Sequence, residues 1–159
     1  MKIRVICVGR LKERFYTDAV AEFSKRLSRF CDIEFVELPD EKVPDDPSPA
    51  EIERVKTAEC RRIAGKLRPG DPVIALDPSG KQLSSEGLSG LLSGLMLNGK
   101  SSIAFVIGGS HGLTDEIRSG ADLVLSFSKM TFSHQIFRVM LLEQIYRSFK
   151  IMKGEPYHK

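Results

Sequence analysis

The sequence has few cysteines, no long apolar run and little net charge. Its three cysteines, Cys7, Cys31 and Cys60, lie far apart and form no CxxC pair. We therefore expect neither a disulfide scaffold nor a metal site, and a cytoplasmic location fits this pattern. No apolar run approaches the roughly 18 residues of a membrane span. The first ten residues are apolar only briefly and are interrupted by Arg4, so no secretory signal and no membrane partner are expected.

Composition and charge indicate an ordinary globular chain. The 159 residues are 42% hydrophobic and 28% charged, which predicts one folded domain over 1–159. The net charge is only +3, but residues 129–159 hold six basic and two acidic side chains. Such a basic segment suits a phosphate backbone, and a solvated helix face explains the same charge.

Strand and helix patterns alternate along the chain. Short β-branched runs predict strands at 3–8, 33–38, 73–76, 103–107 and 123–127. Helical periodicity or capping signals predict helices at 11–27, 49–67, 88–95, 114–118 and 133–152. This alternation indicates an α/β fold with a largely parallel sheet covered by helices on both faces. The last helix is apolar almost all round, which predicts that a homodimer buries part of it.

One phosphate-binding motif is interpreted as a coincidence. Residues 94–101, GLMLNGKS, match the pattern GxxxxGK[ST]. That motif binds phosphate only between a strand and the helix that follows it. Here a leucine-striped helix precedes Gly99 and a strand follows, so Gly99 is interpreted as a helix stop.

Three strand ends carry ligand-binding signals. The loops are 76–80 (LDPSG), 108–112 (GGSHG) and 127–132 (FSKMTF). Ligands of open α/β sheets bind beyond the carboxyl ends of the strands, so these loops predict one shared pocket. The glycines allow close approach of backbone, and we expect a side chain at Gly108 to obstruct the ligand; a plain tight turn remains the alternative.

The final helix and the tail carry the remaining candidates. His134 and Arg138 are four residues apart and share a helix face, while Glu143 and Arg147 form an i,i+4 pair typical of a surface ion pair. His134 near a helix N-terminus favours a neutral imidazole. The tail residues Tyr157, His158 and Lys159 offer stacking, a proton acceptor and a phosphate contact, although a frayed tail is the usual expectation.

These segments resemble one known family. Residues 105–113 (FVIGGSHGL), 76–86 (LDPSGKQLSSE) and 125–159 are similar to the ribosomal RNA large subunit methyltransferase H family, the minimal SPOUT methyltransferases. The resemblance covers essentially the whole chain. Ser133 departs from the proline that the family often has there, and serine is a good N-cap.

The resemblance implies a fold, a cofactor and a reaction. It implies a deep C-terminal trefoil knot that binds S-adenosylmethionine, a homodimer, and methylation of N3 of a pseudouridine in large-subunit ribosomal RNA on the assembled ribosome, without DNA as a partner. The cofactor contacts carried over by position are Leu76, Gly108, Phe127, Ser128, Lys129, Met130, Thr131 and Phe132.

Methyl transfer from a sulfonium needs in-line placement and a proton acceptor, but no metal. Our candidates for the acceptor are His158 first and His134 second. Arg138 or Lys159 is expected to stabilise charge on the base, and Tyr157 to stack on it. Two other functions stay open at this point: a non-catalytic RNA-binding module, and a P-loop phosphohydrolase that would need Lys100.

Overall fold

The structure, a computed structural model, describes residues 1–157. Strands and helices alternate strictly along the chain. The strands are β1 (Lys2–Val8), β2 (Asp32–Leu38), β3 (Val73–Gln82), β4 (Ser102–Ile107) and β5 (Leu123–Ser126). The helices are α1 (Arg14–Leu27), α2 (Pro49–Ala64), α3 (Ser85–Leu97), α4 (Asp115–Gly120) and α5 (His134–Met152).

The five strands form one parallel sheet in the order β2-β1-β4-β3-β5. Side chains of β1 alternate between two apolar layers. Ile3 and Val5 enter the layer under α1, α3 and α5, whereas Ile6 and Val8 enter the layer under α2 and α4. The predicted parallel sheet with helices on both faces is therefore confirmed, and the trefoil knot stays a prediction.

The helix ends follow the predicted capping signals. The Ser48 side chain accepts a hydrogen bond from Glu51 N and completes a capping box at α2, and Ser133 caps α5. At the end of α3, Gly99 has a φ of 73° and its N–H donates to Met96 O. Lys100 N donates to Leu95 O in the same turn. These amides are occupied by helix carbonyls, so the GxxxxGKS segment is a helix C-terminus and not a phosphate loop.

Strand β3 is longer than predicted. The sequence indicated a strand ending at Leu76 and a turn at 77–80, but the chain bulges outward there and pairs again with β5 through Lys81 and Gln82. Gly80 permits this return, because a Cβ at Gly80 would lie 2.6 Å from Val124 O. The predicted turn at 77–80 is therefore a bulge within one longer strand. The bulge places Asp77 at the end of the sheet.

The three cysteine thiols are free and buried. Burial raises the pKa of Cys7 to about 11 and that of Cys31 to about 12. Cys7 and Cys31 belong to the layer under α1, α3 and α5, and Cys60 belongs to the layer under α2 and α4. The two layers lie on opposite faces of the sheet, so Cys60 is separated from Cys7 and Cys31 by the strands.

Candidate active site

A cleft of about 600 Å³ opens where β3, β4 and β5 end. The carboxyl ends of parallel strands meet at this edge, so the loops that follow them converge. Seven of the eight residues predicted to contact a cofactor line the cleft: Leu76, Gly108, Phe127, Ser128, Met130, Thr131 and Phe132. Lys129 does not line it and is exposed to solvent. The three loops chosen from the sequence thus form one cavity.

The glycine-rich loop after β4 is shaped by its own backbone. Gly112 has a φ of 79°, and its N–H donates to Gly109 O at 3.0 Å. A Cβ at Gly108 would lie 2.8 Å from the carbonyl of Gly112. The loop itself therefore excludes a side chain at Gly108, which is a different reason from the obstruction of a ligand that the sequence suggested.

The loop after β5 provides an apolar wall with polar edges. The Phe127 and Phe137 rings lie 4.9 Å apart between centroids, and Phe132 packs 6.4 Å from Phe137. The Ser126 hydroxyl donates to Ser128 O, and Ser128 Oγ accepts from Met130 N at 3.0 Å. This wall suits a ligand with a flat apolar part and several hydrogen-bonding groups.

Asp77 brings a carboxylate to the cleft. Its burial disfavours the charged form, but hydrogen bonds from Ser79 and Arg118 together outweigh that effect and lower the pKa of Asp77. The Arg118 guanidinium lies 3.3 Å from Asp77 Oδ2. The bulge in β3 therefore places a stable anion at the rim.

His134, the first residue of α5, lines the same cleft. A Cβ at Gly9 would lie 3.1 Å from His134 Nε2, so the ring packs directly on the loop after β1. Burial lowers the pKa of His134, and the positive charge of Arg138 lowers it further. The imidazole is therefore neutral at neutral pH and able to accept a proton.

Arg138 does not reach the cleft. Its side chain is 0% exposed, and Nη1 donates to Glu37 Oε1 at 2.6 Å. Nη2 donates to the carbonyls of Val8 and Gly9 at 3.1 and 2.8 Å. A fully buried guanidinium has no surface to offer a substrate. Its contacts instead fix the chain where β1 ends, which makes Arg138 a positioning residue.

Tyr157 lies at the other end of α5. Its hydroxyl is 3.3 Å from Glu143 Oε1, its ring packs edge-on against Tyr146, and the Arg147 guanidinium stacks on it at 4.8 Å. The Glu143–Arg147 pair, expected as a solvated ion pair, is three-quarters buried in this cluster. Tyr157 does not line the cleft of its own chain. His158 and Lys159 lie outside the described residues.

Glu59 lies behind Gly109 of the cleft lining and was not singled out from the sequence. Its side chain is buried on α2, and Oε1 accepts from Glu41 N at 3.0 Å. Among residues 1–157, Oε2 has no hydrogen-bond partner, and a Cβ at Gly109 would clash with it. Burial raises the pKa of Glu59, although the Glu41 hydrogen bond and His111 oppose this. The sequence could have indicated this burial, because Glu59 is four residues from both Val55 and Ile63 and therefore lies on the buried face of α2.

A second groove of about 580 Å³ runs along α5 beside the cleft. Ile136, Val139 and Met140 form its exposed or half-buried apolar side. Leu125 and Phe127 line both the groove and the cleft. The groove is therefore continuous with the candidate active site.

Within residues 1–157, no cluster of three histidine, cysteine or acidic side chains is placed to hold a metal ion. None of the helices in that range is both long and apolar enough to cross a membrane.

Comparison with known proteins defines the class. Residues 1–158 match the family described as predicted SPOUT methyltransferases. A probable methyltransferase from Bordetella pertussis Tohama I superposes with a TM-score of 0.58 at 15% identity, over 92% of this chain and 95% of that one. A probable methylase family protein from Haemophilus influenzae Rd KW20 gives 0.56 at 13% identity, over 99% and 70%. These two structures share the fold.

The chain belongs to the SPOUT methyltransferases, and within them to the ribosomal RNA large subunit methyltransferase H family. It is 54% identical to the protein of that name from two strains of Clostridium kluyveri, over the full length of both chains. The resemblance drawn from the sequence is thereby confirmed, and the protein is a methyltransferase.

Proposed function

We propose that this protein transfers a methyl group from S-adenosylmethionine to N3 of a pseudouridine in large-subunit ribosomal RNA. We further propose that it acts as a homodimer on the assembled ribosome in the cytoplasm. The observation that carries the proposal is the cleft at the ends of β3, β4 and β5, lined by seven of the eight residues that the family resemblance selects. The names of the curated relatives support ribosomal RNA as the substrate class.

The cleft fits S-adenosylmethionine in size and chemistry. A volume of about 600 Å³ is within the usual range for small-molecule sites. Phe127 and Phe137 offer an apolar wall for a purine, and the Asp77 carboxylate, held by Arg118, lies in the same lining. S-adenosylmethionine would supply an activated methyl group on its sulfonium. The glycine loop and the Phe127–Phe132 segment would hold and orient it.

The chain must also remove the proton of the target nitrogen. The N3–H bond breaks as the N3–methyl bond forms, so a neutral base within hydrogen-bond reach is required. His134 meets two conditions, because it lines the cleft and its pKa is lowered. The family resemblance makes His158 the first candidate, and we propose that it reaches the cleft from the tail of a partner subunit. Lys159 and Tyr157 would then contact the base from the same tail.

A homodimer explains why Tyr157 lies away from the cleft of its own chain. The groove beside α5 exposes Ile136, Val139 and Met140 next to Phe127. We propose that a second copy covers this groove and brings its tail to the cleft. Light scattering at micromolar concentration should give about twice the 17.7 kDa chain mass. A monomer mass would overturn this arrangement.

The test of function is methyl transfer to unmethylated ribosomes, followed by mass spectrometry of the modified nucleotide. We expect one methylated pseudouridine in the large-subunit RNA, dependent on S-adenosylmethionine. Calorimetry with S-adenosylmethionine separates this enzyme from a non-catalytic RNA-binding module, which would not bind the ligand. Transfer to another nucleotide, or no transfer by a protein that binds S-adenosylmethionine, would overturn the proposed substrate.

A further inference from the structure

We propose that the segment from Arg10 to Phe15 is an RNA-docking surface that holds ribosomal RNA beside the cleft. We call the side chains of Arg10, Lys12, Arg14 and Phe15 the β1–α1 surface. This inference rests on the proposed function, and it assigns the surface that binds the ribosomal RNA substrate. It starts from Phe15, a large aromatic side chain that is 62% exposed. The ring lies among exposed cations in the chain, and single-stranded nucleic acids are bound by this combination of an aromatic ring and positive side chains.

The β1–α1 surface lies at the same sheet edge as the cleft. Lys12 N donates to Gln135 Oε1 at 3.0 Å, and Leu11 N donates to Glu37 Oε1 at 3.4 Å. Gly9 packs against His134, which lines the cleft. The β1–α1 surface thus follows directly on a residue that packs against the cleft lining, and Arg138 holds the carbonyls of Val8 and Gly9 just before it.

The chemistry of the surface matches a nucleic acid. Arg10 and Lys12 are exposed and have no carboxylate within 4.0 Å among residues 1–157. Arg14 is 3.6 Å from Asp18, but both side chains are largely exposed, and such pairs are weak. Cations of this kind contact phosphates, and an exposed ring stacks on an unpaired base. The Phe15 ring packs against Tyr16, with 4.2 Å between the two centroids.

The neighbouring loop sets the direction of approach. The loop between β2 and α2 contains four acidic residues and one basic residue between Asp40 and Asp46. Glu41 is paired with Arg62, and the other three carboxylates repel phosphates, so RNA that enters the cleft should cross the β1–α1 surface and not this loop. On the opposite side, the exposed Lys129 lies next to Met130 of the cleft wall. The RNA path therefore has cations on both sides of the cleft.

Two variants and two matched controls test the surface. The variants are Phe15→Ala and the double change Arg10→Ala/Lys12→Ala. The controls are Leu97→Ala, which removes a side chain that is 85% exposed, and Lys25→Ala/Lys66→Ala, which removes two exposed cations. Leu97, Lys25 and Lys66 all lie at the amino edge of the sheet, because each precedes a strand. Each control therefore matches its variant in chemistry but not in position.

We expect both variants to raise the KM for unmethylated ribosomes by about 10-fold, with unchanged affinity for S-adenosylmethionine by calorimetry. The double variant should also make ribosome binding, measured by pelleting, less salt-dependent, with a log–log slope lower by about 1.5. Unchanged KM in both variants, or equal losses in the controls, would overturn the proposal. Loss of the dimer in Phe15→Ala would overturn it too, because Phe15 would then contact a second copy. If the wild-type protein transferred no methyl group to ribosomes, the proposed function itself would fail, whatever the variants did.

Discussion

Arg138 and Glu37 are 101 positions apart in the chain, and Arg138 Nη1 donates to Glu37 Oε1 at 2.6 Å. The same guanidinium binds the carbonyls of Val8 and Gly9. One side chain on α5 therefore joins the ends of β1 and β2. Because α5 begins at the cleft with His134, this contact also sets where the candidate base lies relative to the sheet.

Replacing Arg138 should strongly destabilise the fold. Arg138→Met keeps much of the side-chain volume but leaves two buried carbonyls and Glu37 without their donor. We expect the free energy of unfolding in urea to fall by about 3 kcal/mol. The control is Arg26→Ala, which removes an exposed ion pair with Glu22 and should leave the midpoint unchanged. Equal midpoints for Arg138→Met and the wild type would contradict the role assigned to this contact.

His134 should make stability depend on pH. Its folded-state pKa is lowered by burial and by Arg138, so the unfolded chain binds the proton more readily. The stabilisation from neutral His134 is complete above about pH 6.5 and is lost as the pH falls toward the folded-state pKa. The difference in unfolding free energy between wild type and His134→Gln should therefore shrink from pH 7.5 to pH 5. A difference that grows on acidification would contradict the sign of the shift.

The Gly109–Glu59 contact should control the shape of the cleft loop. Gly109→Ala places a Cβ against Glu59 Oε2, so the buried Glu59 carboxyl or the cleft loop must shift. We expect the affinity for S-adenosylmethionine to fall by about 10-fold, which corresponds to roughly 1.4 kcal/mol. The matched control is Gly90→Ala on α3, where nothing lies within 4 Å of the new Cβ.

Removing the Glu59 carboxyl should relieve this clash. In the double variant Gly109→Ala/Glu59→Ala we expect part of the lost affinity to return, as measured by calorimetry. The double-mutant cycle separates the contact from a general effect of glycine loss. If Glu59→Ala gave no recovery, the contact would not be what orients the loop.

The tail should matter for transfer and not for cofactor binding. Deletion of residues 157–159 removes no residue that lines the cleft, and its only loss from the apolar layers that the structure describes is the Tyr157 ring on Tyr146, so the affinity for S-adenosylmethionine should be nearly unchanged. Methyl transfer to ribosomes should fall by at least about 100-fold, the scale of losing a positioned acid–base group. His158→Ala should account for most of the loss if His158 takes the proton. A small effect of His158→Ala would assign that role to His134, and full turnover by the truncated protein would remove the tail from the active site.

The elements of the fold were predictable because their signals are local. The apolar run at 103–107, the Ser48 capping box and the Gly99 helix stop each depend on neighbouring residues. Seven of the cleft-lining residues were identified through the family resemblance and through the rule that strand ends converge. That rule depends only on strand order and direction.

The residues that the sequence misplaced or missed depend on distant contacts. The spacing of Arg138 placed it on one helix face with His134, but its acceptor Glu37 lies on β2, 101 positions earlier. In the sequence, Glu59 is only a charged residue within an apolar helix stripe. Its contact with the cleft loop is made through Gly109, which comes 50 residues later. The bulge in β3 depends on Gly80 meeting Val124. Each of these contacts joins residues that are far apart in the sequence, so no pattern of neighbouring residues predicts it.

The three buried thiols can report local unfolding of the protein, because each becomes reactive only when the layer around it opens. Alkylating reagents attack the thiolate, and the raised pKa values of Cys7 and Cys31 keep those thiols protonated in the folded chain. Labelling must therefore wait for the layer around each thiol to separate. Cys7 and Cys31 would time the opening of the α1, α3 and α5 side, and Cys60 would time the α2 and α4 side. Labelling rates resolved by mass spectrometry would thus show whether the two sides of the sheet come apart together or in sequence.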